Sequence, residues 1–101
     1  MKKWRDVLTD RLKNDSDEAE AYLQAALEEF QNDGNKDAFL LAIRTLVDAK
    51  GGVEWLSKQT HLNRTQLYRT LSEHGNPTLG TLTKVLMTLG FRLSVQGVVA
   101  C

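Results

Sequence analysis

Residues 64 to 69 hold Arg64, Thr65, Gln66 and Arg69 within less than two turns of any helix they could form. These side chains share one chemistry, hydrogen bonding to the exposed edges of nucleic-acid bases. An arginine fork matches the paired acceptors of guanine, a glutamine amide matches adenine, and threonine offers a hydroxyl beside a methyl group. At helical spacing the four project to one side, while Leu67 and Leu71 fall on the other. No aspartate or glutamate lies between Lys58 and Ser72, so nothing within that stretch repels phosphate. Lys58, Tyr68, Ser72, His74 and Thr78 flank it as candidates for contact with a nucleic-acid backbone. Each also has a plainer reading: Tyr68 as a packed ring, Ser72 as a turn cap, Lys58 as a solvated side chain.

Such residues need a rigid frame. Asn63 is a good N-cap for a helix over Arg64 to Leu71. Val53 to Gln59 reads as a short helix with Trp55 and Leu56 as its apolar members, and Thr60-His61-Leu62 makes a tight turn between the two. Short helix, tight turn and capped helix follow the order of a helix-turn-helix, whose second helix enters the DNA major groove. Leu56, Leu62, Leu67 and Leu71 must then face inward to fix the angle between the helices. Thr78 caps a further helix built on Leu79, Leu82, Val85, Leu86 and Leu89, and its free N–H groups suit a phosphate.

Upstream, Phe39, Leu40, Ile43, Leu46 and Val47 define a helix from Lys36 to about Ala49, which Gly51-Gly52 ends. Before it, Asn14, Asp15 and Ser16 can cap an amphipathic helix carrying Ala19, Tyr22, Leu23, Ala26, Leu27 and Phe30, which Gly34 helps to end. Trp4, Val7, Leu8 and Leu12 share one face of a short helical stretch at the start. Downstream of Gly90, Phe91-Arg92-Leu93-Ser94-Val95 alternates like a β-strand. A lone strand needs a partner for its backbone groups, and the simplest is the same strand of a second copy. Phe91, Leu93 and Val95 are therefore candidate dimer contacts; the plainer reading is a tail packed on the helices.

The 101 residues are sized for one domain with a modest extension, and their net charge is zero. That zero hides an asymmetry. Residues 1–35 carry five Lys or Arg against nine acids, a net of −4, and residues 36–101 carry eight against four, a net of +4. Opposite signs suggest two surfaces with two partners, the basic one suited to phosphates. The division expected is an acidic helical extension over 1–35 and a DNA-binding domain over 36–101.

Other function classes find little support. His61 and His74 lie in a turn and a loop with no paired carboxylate or thiol pattern, no Cys/His set has metal-ligand spacing, and no nucleophile or phosphate-loop motif appears. No enzyme, metal or cofactor is expected. The one cysteine, Cys101, has no internal partner for a disulfide. No apolar run reaches the length of a membrane span and no secretory signal opens the chain, so a cytoplasmic protein is expected. Near-neutral charge keeps open an interaction module that has the fold without binding DNA.

The stretch from Gly51 to Leu93 resembles the addiction-module antidote proteins, HigA-like members of the lambda-repressor-like helix-turn-helix class. The likeness rests on Gly51-Gly52, on Asn63-Arg64 leading to Leu67-Tyr68, on Leu71-Ser72, on Gly75-Asn76-Pro77, and on Thr81 with Leu89-Gly90. Tyr22-Leu23, Ala26-Leu27 and Ala38-Phe39-Leu40 extend it upstream. The resemblance implies an all-α bundle of about five helices with a recognition helix at Arg64 to Leu71. It also implies an antitoxin, many of whose relatives are carried by prophages, that represses its own operon and neutralises a small basic toxin of the RelE-like ribonuclease type. Partners would be double-stranded DNA bearing a short inverted repeat, a second copy of the chain, and the toxin. On this reading Trp4, Val7, Leu8 and Leu12 are candidate toxin anchors, Trp being favoured at interface centres. The alternative is a stand-alone prophage-type regulator in which the same residues cover their own core.

Two positions depart from the family pattern. His61 stands where the turn usually has glycine, and Ser57 where a small alanine is common. A side chain at a left-handed turn position adds about 1 kcal/mol of strain.

Overall fold

The computed structural model describes residues 4, 7, 8 and 15–99. Among these, five helices are complete: α1 (Ser16–Asp33), α2 (Asp37–Lys50), α3 (Gly52–Thr60), α4 (Arg64–Thr70) and α5 (Leu79–Thr88). Trp4, Val7 and Leu8 are also helical, and Leu12 lies outside the described residues.

The caps explain where each helix begins and ends. Asp15 accepts the Glu18 N–H at 3.0 Å, and Asp17 and Glu18 place negative charge at the positive end of α1. Gly34, at φ 74°, closes that helix and donates its N–H to the Phe30 carbonyl. Between α2 and α3 the chain turns on Gly51 and Gly52, at φ 138° and 90°. A Cβ on Gly51 would sit 2.9 Å from that of Trp55, so glycine is required there for space as well as for backbone angle.

α2 is the central element. Eight of its fourteen residues are buried, Ile43 and Val47 completely. A helix so widely buried must be covered on several sides. α1 packs against it through Ala19, Leu23 and Ala26, and Phe30 stacks on Phe39 with ring centroids 6.2 Å apart. α3 packs on α2, α4 and α5, contributing Val53 and Leu56 to a core shared with Leu67, Leu71, Val85 and Leu86. Residues on both sides of the 35/36 boundary thus line one core. Thr45, fully buried, donates its hydroxyl to the Leu41 carbonyl at 2.9 Å. Among the described residues no buried side-chain nitrogen or oxygen lacks a partner. None of the described helices is long and apolar enough to cross a membrane.

The expected C-terminal strand is not present. Residues 91–99 have no regular secondary structure. The Phe91 N–H instead bonds to the Leu86 carbonyl at 2.8 Å, and its ring lies half-buried against the core. Beyond it Leu93 is partly exposed and Val95 is 99% exposed. A strand exists only through a paired edge, and the surrounding elements are helices. The alternation of residues 91–95 therefore marks an anchored Phe91 followed by an outward-facing tail.

Gly75 is the tightest point of the loop between α4 and α5. A Cβ there would lie 2.1 Å from the Thr70 carbonyl oxygen, which is backbone and cannot swing aside. Replacing Gly75 with Ala is expected to lower stability by about 1–3 kcal/mol, the usual cost of forcing an atom into filled space. Urea unfolding of the two proteins checks this; equal midpoints would show that the loop shifts freely.

Candidate nucleic-acid interface

The turn between α3 and α4 is built from side chains as much as from backbone. His61 adopts φ 60° and donates its N–H to the Ser57 carbonyl at 2.8 Å, ending α3 in the left-handed conformation that glycine usually supplies. The Ser57 hydroxyl then spans the turn and donates to the Leu62 carbonyl at 2.6 Å. The Thr60 hydroxyl donates to the Leu56 carbonyl at 2.8 Å and accepts the Leu62 N–H at 3.3 Å. Asn63 accepts the Gln66 N–H at 3.0 Å and starts α4. Both departures from the family pattern thus meet at one turn, and the hydroxyl of Ser57 supplies a bond that alanine could not.

This frame divides α4 into two faces. Leu67 and Leu71 are buried with Leu56, and Leu62 is half-buried against them. Arg64, Thr65, Gln66, Tyr68 and Arg69 are exposed. The four residues proposed for base contact are therefore available to solvent together.

Their electrostatic setting differs from that of the linear sequence. Arg64 is ion-paired with Glu54, which reaches it from the first turn of α3. A search for acids restricted to residues 58–72 cannot find a partner that folding brings in from ten residues upstream. Arg69 and Lys58 have no acidic partner among the described residues. Arg44, on α2, lies 5.0 Å above the Tyr68 ring and pairs with Asp48 at 3.2 Å. Tyr68 thus presents a ring backed by a cation. Arg44 stands four residues before Asp48, so their pairing is legible as a helical period, whereas the approach of Arg44 to Tyr68 comes from helix packing.

The proposed backbone-contact residues scatter. Ser72 donates its hydroxyl to the Arg69 carbonyl at 2.7 Å and caps the end of α4. Thr78 accepts the Thr81 N–H at 3.1 Å and caps α5. His74, at φ 66°, sits between two carboxylates, with Nδ1 at 3.1 Å from Asp37 and Nε2 at 3.7 Å from Glu73. One donor atom from each of these three residues lies within 4.8 Å of the others. Their arrangement, with Lys36 donating to Asn76 at 3.3 Å, ties the α4–α5 loop to the start of α2. Carboxylates on both sides make His74 a poor neighbour for phosphate.

The proposed toxin anchors divide as well. Leu8 packs against the core, whereas Trp4 is 75% exposed and Val7 partly exposed. A groove of about 640 Å³ runs between α1, the end of α5 and residues 90–94, lined by Leu23, Leu27, Phe39, Met87 and Leu93.

What these features define is a class, a small all-helical bundle that displays one polar helix on a turn locked by side-chain hydrogen bonds. A family profile described as "Probable addiction module antidote protein" matches residues 6–97, and the chain belongs to that family. It is similar to an uncharacterized protein of Haemophilus influenzae strain Rd, 31% identical over 78 residues that make up 77% of this chain and 79% of the relative. No solved structure matches it.

Removing the Ser57 hydroxyl tests the account of the turn. Ser57→Ala is expected to cost about 1 kcal/mol, because the part-buried Leu62 carbonyl loses its donor. Thermal unfolding reads the change, and an unaltered Tm would mean that water replaces the bond.

Proposed function

We propose that this chain represses transcription by binding double-stranded DNA with α4 in the major groove, and that it is the antidote to a small basic toxin. The observation that carries the DNA reading is the joint exposure of Arg64, Thr65, Gln66 and Arg69 on a helix whose opposite face is locked into the core. Arg69 and Lys58 supply unpaired positive charge for phosphates, and the capped start of α5 supplies free N–H groups. His74 is left out of the contact set because Asp37 and Glu73 already hold it. The protein would act as a homodimer on a short inverted repeat, with half-sites about one helical turn apart. No catalytic step forms part of this role.

The toxin reading is supported by family membership and by α1, which has six carboxylates and no Lys or Arg. A ribonuclease toxin of the RelE-like type must be basic to hold RNA, and an acidic helix is a fitting counterpart. Trp4 and Val7 add exposed apolar surface nearby in sequence.

Titration against duplexes enriched by the protein from a randomised pool, at two salt concentrations, tests the DNA reading. Affinity is expected to fall steeply with salt, and Arg64→Ala is expected to cost about 1–3 kcal/mol and relax the preference at one base pair. If Arg64→Ala binds as tightly and as selectively as wild type, the role of Arg64 is wrong. Co-expression with the product of the neighbouring reading frame should yield a second, basic chain on purification. A chain that purifies alone and still represses would instead be a stand-alone regulator.

A further inference from the structure

Arg64 would be an ordinary DNA-binding arginine were it not for its partner. Glu54 and Arg64 are 65% and 57% exposed, so neither is held by burial and both stand where a duplex could reach them. An exposed pair of this kind contributes little to folding, and α3 and α4 are already fixed by Leu56, Leu67 and the Ser57 bond.

Two physical consequences follow. Glu54 cancels the charge of Arg64, so this end of α4 attracts phosphates of any sequence less strongly than Arg64 alone would. At the same time Glu54 Oε1 engages one nitrogen, Nη1, of a planar guanidinium that carries five donors, which restricts the orientations of the group and leaves its other donors open. A guanidinium already oriented loses less freedom on meeting a base edge that fits it. A sequence that offers no such edge brings phosphate toward Glu54 without compensation.

We propose that Glu54 is a positioning residue that sets DNA selectivity, orienting Arg64 for a guanine edge while weakening its attraction to phosphate. This rests on the DNA-binding reading above. Arg69, five residues further along the same helix and without an acidic partner among the described residues, is the contrasting case: its full charge draws phosphate of any sequence as well as a base edge.

The test uses the full chain, a duplex enriched by wild type from a randomised pool, and the same duplex with its bases shuffled. Glu54→Gln keeps the shape and removes the charge. It is expected to bind the shuffled duplex several-fold more tightly, with a salt slope steeper by about 0.9 for the one cation released from pairing. The ratio of selected to shuffled affinity is expected to fall about tenfold, the scale of one bidentate base contact. In an Arg64→Lys background, where no planar fork remains, Glu54→Gln should leave that ratio unchanged. Equal shifts on both duplexes, no shift on either, or a ratio that rises would each overturn the proposal. If wild type itself enriches no duplex and shows no salt-dependent binding, the DNA reading fails first, and this inference with it.

Discussion

The geometry of α4 depends on a left-handed residue at the end of α3, where the chain must reverse within three residues and still satisfy its backbone. His61 provides that conformation at some strain, and the Ser57 hydroxyl spans the resulting corner to the Leu62 carbonyl. The two act together: the backbone angle aims the chain and the hydroxyl keeps it aimed. Thr60 closes the remaining gap by donating to one carbonyl and accepting from the Leu62 N–H. With the corner set, Leu67 and Leu71 enter the core and the polar side chains of α4 have only one direction left to point.

Much of this frame was legible in the sequence because it is written in local chemistry. Asn63 and Thr78 cap the helices they precede, Gly51-Gly52 breaks the chain where expected, and Leu56, Leu67 and Leu71 lie on the buried side. His61 and Ser57 could be read only as two separate departures, since the bond that links them to one purpose crosses the turn. The strand was misread for a different reason. Alternating polarity over residues 91–95 fits a pleated edge, but pairing is a property of two segments, and the backbone of Phe91 is taken up by α5.

The exposure of the candidate interface residues was legible in the sequence, and their charge partners were not. Glu54 lies ten positions before Arg64 on another helix, and Asp37 lies 37 positions before His74. Such pairings follow from helix packing, which a linear window does not contain. They also change the meaning of the residues involved. His74 belongs to a clasp between the α4–α5 loop and the start of α2, and Arg64 presents a held guanidinium rather than a free one. Part of the positive charge of residues 36–101 is thus matched locally, Glu54 lying against Arg64 and Asp48 against Arg44.

The packing order follows the order of the chain. α1 packs on α2, α2 on α3 and α3 on α4, with the α3–α5 contact bridging one intervening helix. Joining segments that are close along the polypeptide sacrifices little chain freedom, and helical proteins arranged in this way reach their native state in microseconds to milliseconds. The corner that aims α4 is formed by residues no more than five apart. Its closure therefore costs little chain entropy, and the direction of α4 is set by contacts local to the polypeptide rather than by the meeting of distant segments.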